Sequence, residues 1–548
     1  MSRASSLSQP SAPTVRLRAE AQSFLARRGL YLLIGIGVAL RLARYAADRS
    51  LDLDEALIAL NITNRSFAGF FHQLDFNSGA PIAFLEIEKL MVTVFGNNEY
   101  ALRLFPLLAG IAALLLFPSV ASRVVSPAAV PLALALFVIL DRLIYYSSAV
   151  KQYSSDVAVT LALYALALRF LSGEQRPRCL ALLAFAGILA PWLSHPSVFV
   201  LAAIATTLGA ESLMRRDWRR LRRLALVVSV FAVSGAAIYF AALADLTSLR
   251  TSLGGESGAY PSSLAELKSL GGAFRWLLGT ESVWVGGIDA GDIVALAALA
   301  LLLCGAVCLL RSRKTETALL VLPAAFAGAA ALLHAYPLVP RTLLFLVPAV
   351  VLGVSEGAIG AVRWVRQREA KIVLGAVAAT VLVFSALSSM THAAKPDRAA
   401  VHELRPLMAY LASHQRPGDT VYLYFKAQYI FRYYVECDCG GRAIEKAKLD
   451  GLWPVVAAEG GPDQWAPALV SKSARFVVGA YRGNGDEIPL ADLERLRGRK
   501  HVWILVVSMP LEDRSSLRAH LDRIGERRLT LSNGMSNSAA TLYLYDLR

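Results

Sequence analysis

The sequence predicts a polytopic α-helical membrane protein that carries a soluble α/β domain at its C-terminal end. Three observations carry that prediction. The chain of 548 residues is 56% hydrophobic and only 18% charged, with a mean hydropathy of +0.49. That is too apolar for a soluble domain of this size. Apolar runs of roughly 18 to 22 residues, each long enough for a ~30 Å hydrocarbon core, recur as far as residue 390. From about Asp397 onward the apolar runs shorten to strand length and turn residues multiply.

The runs place about eleven spans at 29–47, 101–121, 128–146, 154–171, 179–193, 197–214, 224–244, 292–310, 317–334, 342–360 and 371–390. The first is read as a membrane anchor and not as a cleavable signal, because its apolar run is long and Arg41 and Arg44 follow it. A formal charge of +15 would suggest a nucleic-acid partner if the basic residues were clustered on one surface. Instead they fall on alternate loops: Arg27 and Arg28 before the first span, Arg176 and Arg178 after the fourth, Arg215 to Arg223 after the sixth, Arg311 to Lys314 after the eighth, and Arg363 to Lys371 after the tenth. The positive-inside rule then puts a tail of residues 1–28 in the cytoplasm and the C-terminal region outside. The pI of about 9.7 is thus a topology signal, with anionic membrane lipid as its partner and no nucleic acid.

With that orientation, 48–100, 147–153, 194–196, 245–291, 335–341 and 391–548 share the outer face. Loop 48–100 is patterned: 54–71 and 81–95 read as two amphipathic helices lying along the interface, roofing a cavity. Residues 245–291, rich in Gly and Ser, read as a second covering loop or a plain connector. The expected organisation is a 29–390 transmembrane domain followed by a 391–548 extracytoplasmic domain. In the latter, helices are expected over 401–414 and 513–524 and strands at Thr420–Phe425, Arg475–Ala480, His501–Ser508, 527–532 and 540–546, giving a mixed sheet. No phosphate-cradling glycine motif follows a strand, so no nucleotide is assigned.

Cysteines decide little. Cys179, Cys304 and Cys308 fall in spans, and Cys437 and Cys439 are too close to pair without strain. The chemically informative feature is Asp54-Glu55, just past the first span. Carboxylates this near hydrocarbon are costly unless they meet water, a partner or a substrate, so the pair is either a functional site or a solvated interfacial loop.

Asp54-Glu55 resembles the acidic motif of the GT-C membrane glycosyltransferases, in particular the family 39 and 83 branch that contains protein O-mannosyltransferases and the lipid A aminoarabinose transferase. The resemblance continues through Ser78-Gly79-Ala80-Pro81, Phe95-Gly96-Asn97-Asn98-Glu99-Tyr100-Ala101-Leu102-Arg103, Tyr145 to Asp156, Ser194-His195-Pro196, and Arg341 with Pro348. It covers roughly 30–360 and is similar to a bacterial subgroup without an assigned substrate. It implies a GT-C fold in the bacterial inner membrane. The implied reaction is transfer of a sugar from a polyprenyl-phosphate donor to an acceptor on a glycan, lipid or protein, with inversion.

Such a displacement needs a base for the acceptor hydroxyl and cations for the leaving phosphate. The resemblance implies Asp54 as base, with Glu55 orienting it, binding acceptor or merely solvated. Asp156, on the face shared with Gln152 and Tyr153, is a candidate for binding acceptor or for contact with Lys151. Lys151 and Arg341 are the outer basic residues best placed for phosphate, with headgroup snorkelling as the other reading. His195 is either a helix-end cap or a sugar or phosphate ligand. Where the aminoarabinose transferases carry a basic residue before paired prolines, this chain has Gly79, so phosphate must be neutralised by Lys151 and Arg341 or by a divalent cation. Asp54 and Asp156 are the carboxylates that could hold one, although hard cations prefer six or more oxygens. A transporter or a non-catalytic lipid-binding scaffold of envelope glycan assembly is the rival reading. Transporters tend to show internal repeats, and this sequence shows none.

Overall fold

The computed structural model describes residues 12–172, 177–243, 291–364, 404–416, 418–436, 476–478, 493–509, 511–533 and 540–548, with a few short pieces between 272 and 289. The expected 371–390 span, most of loop 245–291, and Cys437 and Cys439 lie outside the described residues.

The chain is mostly helical. In order come α1 (Ala12–Ala46), α2 (Leu53–Asn64), two 3₁₀ turns (Phe67–Phe71 and Asp75–Asn77), α3 (Ile82–Phe95), α4 (Glu99–Val124), α5 (Ala129–Ile139), α6 (Asp141–Tyr146), α7 (Tyr153–Leu171), α8 (Pro177–Leu193), α9 (Ser197–Met214) and α10 (Trp218–Ile238). After a two-residue strand pair, β1 (Trp284–Val285) and β2 (Ile288–Asp289), follow α11 (Gly291–Ser312), α12 (Lys314–Leu332), a 3₁₀ turn (Pro340–Leu346) and α13 (Val347–Trp364). Among the described residues, eight helices are long and apolar enough to cross a membrane, and Ala129–Ile139 and Arg178–Leu193 are shorter apolar helices.

Two expected spans are not single straight helices. The 128–146 run breaks at Leu140, which is extended (φ −66°, ψ 111°), and α6 restarts at Asp141, where an acid suits a helix N-terminus. The 342–360 run opens with the 3₁₀ turn, because Pro340 and Pro348 withhold amide donors at its start. Helices α11 and α13 approach backbone to backbone. A Cβ on Gly305 would sit 1.9 Å from the Gly353 carbonyl oxygen, and one on Gly357 would sit 1.8 Å from that of Leu301. Small residues of this kind allow close helix contact where lipid gives no hydrophobic drive.

Loop 48–100 contains two helices, as the pattern predicts, but the first ends at Asn64 and its apolar face is covered by protein. Ala56, Ile58, Ala59, Leu60 and Ile62 are all buried. The reason is a partner invisible to local patterning: α2 is covered by a helix more than 360 positions later, α15 (Ala427–Glu436). The large apolar side chains of this loop that stay exposed are Phe67, Phe71, Leu90, Val94 and Phe95.

The C-terminal region consists of α14 (Leu404–His414), β3 (Thr420–Leu423), α15 (Ala427–Glu436), β4 (Phe476–Val478), β5 (Val502–Val506), α16 (Leu511–Ile524), β6 (Glu526–Asn533) and β7 (Ala540–Asp546). Its five-stranded sheet has the order β4-β3-β5-β7-β6 and is mixed, as predicted. Strands β4, β3 and β5 run parallel, while β7 pairs antiparallel with β5 and β6. Every residue of β3 and β5 is buried, consistent with the unbroken apolar run of a covered central strand. One apolar core runs from Leu60 and Phe84 of α2 and α3 into Tyr433, Ile504 and Leu542 of the C-terminal region; a second lies within the helix bundle.

Candidate active site

Charged groups gather at the N-terminus of α2. Asp52 caps the helix: its side chain accepts from the Glu55 amide at 2.8 Å, and Glu55 Oε2 accepts from the Asp52 amide at 3.1 Å. This capping box fixes where the helix begins. It also places three carboxylates at the positive end of the helix dipole.

Glu55 turns inward and is 1% exposed. Its carboxylate accepts a fork from Arg49 at 2.6 and 2.8 Å, a bond from Arg103 at 3.3 Å and the Val150 amide at 2.8 Å. Burial alone would push this acid up. The Arg49 and Arg103 guanidinium groups outweigh burial and hold it at about 2. The structure therefore shows Glu55 neither solvated nor open to an acceptor. Beside it, burial and the Glu55 charge push the Asp52 carboxyl up to about 6, and Tyr145 donates to Asp52 at 3.2 Å. Arg49 and Arg44 lie over the Tyr145 ring at 4.8 and 5.3 Å, in cation–π range.

Asp54 points the other way. It pairs with Arg341, which enters from the 3₁₀ turn before α13, and the two side chains remain 41% and 47% exposed. Burial would raise the Asp54 carboxyl, but Lys151 and Arg341 hold it below its ordinary value. Burial pulls Lys151 down, and Asp54 opposes that. Tyr146 and Tyr153 pack edge to face at 4.8 Å and border Arg341. Asp54, Lys151, Tyr153 and Arg341 thus converge from α2, the α6–α7 link, α7 and the turn before α13.

The other predicted residues form a second, buried set. Asp156, 3% exposed on α7, lies beside Ser194 in the α8–α9 turn, and its Oδ1 has no hydrogen-bond partner. His195 adjoins Ser194 in that turn. Tyr153 stands between the sets, since Arg341, Asp54 and Asp156 all act on it. Gln152 is half-buried just before α7, with Oε1 unpartnered. Among the described residues no group of three or more His, Cys, Asp or Glu is placed to hold a metal ion.

Sequence reasoning missed Arg49, Asp52, Arg103 and Arg405. Arg103 and Glu99 stand four apart in the Asn98–Arg103 segment, one face of a helix, and that spacing was the available signal. Arg405 has no local signal at all.

No protein-family model matches this chain, and no curated protein does. Solved structures do. It is similar to ArnT from Cupriavidus metallidurans bound to undecaprenyl phosphate, with a TM-score of 0.50 and 13% identity over 94% of this chain and 97% of that one. It is also similar to the archaeal oligosaccharyltransferase AglB from Archaeoglobus fulgidus in complex with an inhibitory peptide and a dolichol-phosphate, with a TM-score of 0.51 and 11% identity over 96% of this chain and 74% of that one. The chain therefore has the fold of these two structures. More narrowly, that fold is GT-C, here with a small C-terminal sheet domain.

Proposed function

We propose that this protein is an inverting glycosyltransferase that moves a sugar from a polyprenyl-phosphate donor to an acceptor hydroxyl on the outer face of the bacterial inner membrane. The observation that carries the reading is the half-exposed Asp54–Arg341 pair, set among buried groups where a lipid phosphate and an acceptor could meet. Both similar structures hold a polyprenyl phosphate by name, undecaprenyl in one and dolichol in the other.

The donor phosphate competes with Asp54 for Arg341. Once Arg341 turns to phosphate, Asp54 loses the neighbour that keeps it a weak base. It then takes the acceptor proton as the oxygen attacks the anomeric carbon. The bond from that carbon to the phosphate oxygen breaks, and Arg341 and Lys151 meet the charge on the departing polyprenyl phosphate. Tyr153 and Gln152 border the sugar, with Asp156 and His195 behind them. Glu55 positions Asp54 through the helix and touches no substrate. In this reading the N-terminus is cytoplasmic, and residues 391–548 form the extracytoplasmic domain.

The test is thermal stability of detergent-purified protein with undecaprenyl phosphate and with a panel of polyprenyl-phosphate sugars, followed by turnover. Ligands that bind only the folded state raise its apparent stability. The expected result is stabilisation retained in Asp54→Asn and lost in Arg341→Ala, with polyprenyl phosphate released only by protein that keeps Asp54. Full turnover in Asp54→Asn would remove the base assignment, and no response to any lipid phosphate would return the transporter or scaffold reading.

A further inference from the structure

The segment 48–52, which connects α1 to α2 and so aims Asp54, has no secondary structure of its own to satisfy its backbone. Every such polar group must find a partner. Arg103 donates to the carbonyls of Arg49, at 2.6 Å, and Ser50, at 3.3 Å, and Glu55 accepts the Asp52 amide. The Asp48 amide donates to the Tyr45 carbonyl and the Asp52 carbonyl accepts the Ala56 amide, and further partners come from the far end of the chain. Arg405, at the start of α14, donates to the Asp48 carbonyl and, at 2.9 Å, to the Asp48 carboxylate, and its Nε reaches Ser50 Oγ at 3.3 Å. Glu99 flanks the same guanidinium at 3.2 Å. Tyr434 of α15 accepts the Leu51 amide at 2.7 Å. Asp48 is held at φ 47°, a left-handed conformation uncommon for non-glycine residues although Asp adopts it more readily than most, and its carboxylate there meets Arg405.

We infer that Arg405 and Tyr434 are positioning residues, through which the C-terminal region clamps segment 48–52 and so sets the aim of Asp54 at Arg341. This rests on the glycosyltransferase reading above. It gives the C-terminal region a part in the reaction that does not require it to touch substrate. Geometry explains why the part matters. Segment 48–52 leads directly into the helix that carries the base, and a shift of about 1 Å in a reacting group can cost on the order of 10²-fold in rate.

The experiment compares full-length wild type, Tyr434→Phe and Arg405→Ala in detergent. Amide hydrogen exchange is followed over 48–56, α4 and α7, and kcat and donor KM are measured with an undecaprenyl-phosphate sugar that the wild type turns over. Tyr434→Phe removes one hydroxyl and keeps the ring packed, so it remains informative if Arg405→Ala does not fold. The expected result is faster exchange confined to 48–56, kcat lower by about tenfold or more, and donor KM within about threefold. Unchanged exchange over 48–56 would overturn the clamp. Faster exchange with unchanged kcat would overturn its role in aiming the base, and faster exchange throughout α4 and α7 would reduce it to general folding. A wild type that turns over no polyprenyl-phosphate sugar counts against the glycosyltransferase reading alone, and the exchange data still decide the clamp.

Discussion

Glu55→Gln and Asp54→Asn alter neighbouring carboxylates, and the structure assigns them opposite consequences. The Glu55 carboxylate is 1% exposed and balances two arginines that are themselves buried, Arg49 at 1% and Arg103 at 3%. Glutamine keeps the shape but leaves those cations without their counter-charge. Breaking a buried pair in this way costs about 3–5 kcal/mol. Proton linkage gives an independent figure. The interval from an ordinary 4.5 to about 2 corresponds to about 3 kcal/mol, at 1.36 kcal/mol per pH unit. Because the native acid is depressed, that stability is complete above pH ~4.5 and is lost as pH falls toward 2. Asp54 instead forms a half-exposed pair, worth about 0–1 kcal/mol. Thermal unfolding can be followed through thiol labelling of Cys179, which is buried in the folded state. Glu55→Gln should lower the midpoint by roughly 5 °C and flatten the acid limb, as about 3 kcal/mol requires in a large chain. Asp54→Asn should leave the midpoint within about 1 °C, for a pair worth so little, yet abolish turnover. Equal midpoints, or a normal acid limb in Glu55→Gln, would refute the reasoning.

Arg341→Ala removes one of the two cations that hold Asp54 down, so the acid limb of kcat/KM should move to higher pH, and a pH–rate profile of the variant checks it. Glu88 of α3 is fully buried, with neither carboxylate oxygen partnered, and burial pushes its pKa well up. The native state therefore prefers it protonated, and its penalty grows as pH rises above the ordinary 4.5. Glu88→Gln should gain stability at pH 8 relative to pH 5, read from thermal midpoints. Gly357→Leu forces a side chain into the Leu301 carbonyl and should separate α11 from α13, seen as loss of the monodisperse peak in size-exclusion chromatography.

How much of this was legible in the sequence depends on the range of the interaction. Apolar runs identified the eight helices that, among the described residues, are long and apolar enough to cross a membrane, because such a span satisfies its own backbone, and strand-length patterns identified a mixed sheet. The same logic failed for 128–146, where the local conformation of Leu140 breaks a run whose hydropathy continues to Tyr146. No local pattern announced α15, the helix that covers α2. A helix with its polar face toward water and one whose polar groups meet a distant domain have the same periodicity. At the site, Asp54, Lys151 and Arg341 were nominated separately by their positions near span ends, and the structure places them together. Arg405 reaches Asp48 across 357 positions, so nothing within reach of a sequence window could pair them.

The adjacency of Asp54 and Glu55 also has a geometric logic. Successive residues of a helix are about 100° apart, so two neighbouring carboxylates at the start of α2 cannot face the same environment. The capping box fixes Glu55 as the third helical residue and turns it toward Arg49 and Arg103. Asp54 then has to face outward, toward Arg341 and Lys151. The buried arginines thus act on Asp54 mainly through the backbone, by holding the rotation of the helix. Charge alone could have been supplied by a flexible acid anywhere in loop 48–100. A defined direction needs a rigid helix end with its first turn saturated by hydrogen bonds, and a base that must meet a proton within hydrogen-bond reach needs direction more than charge.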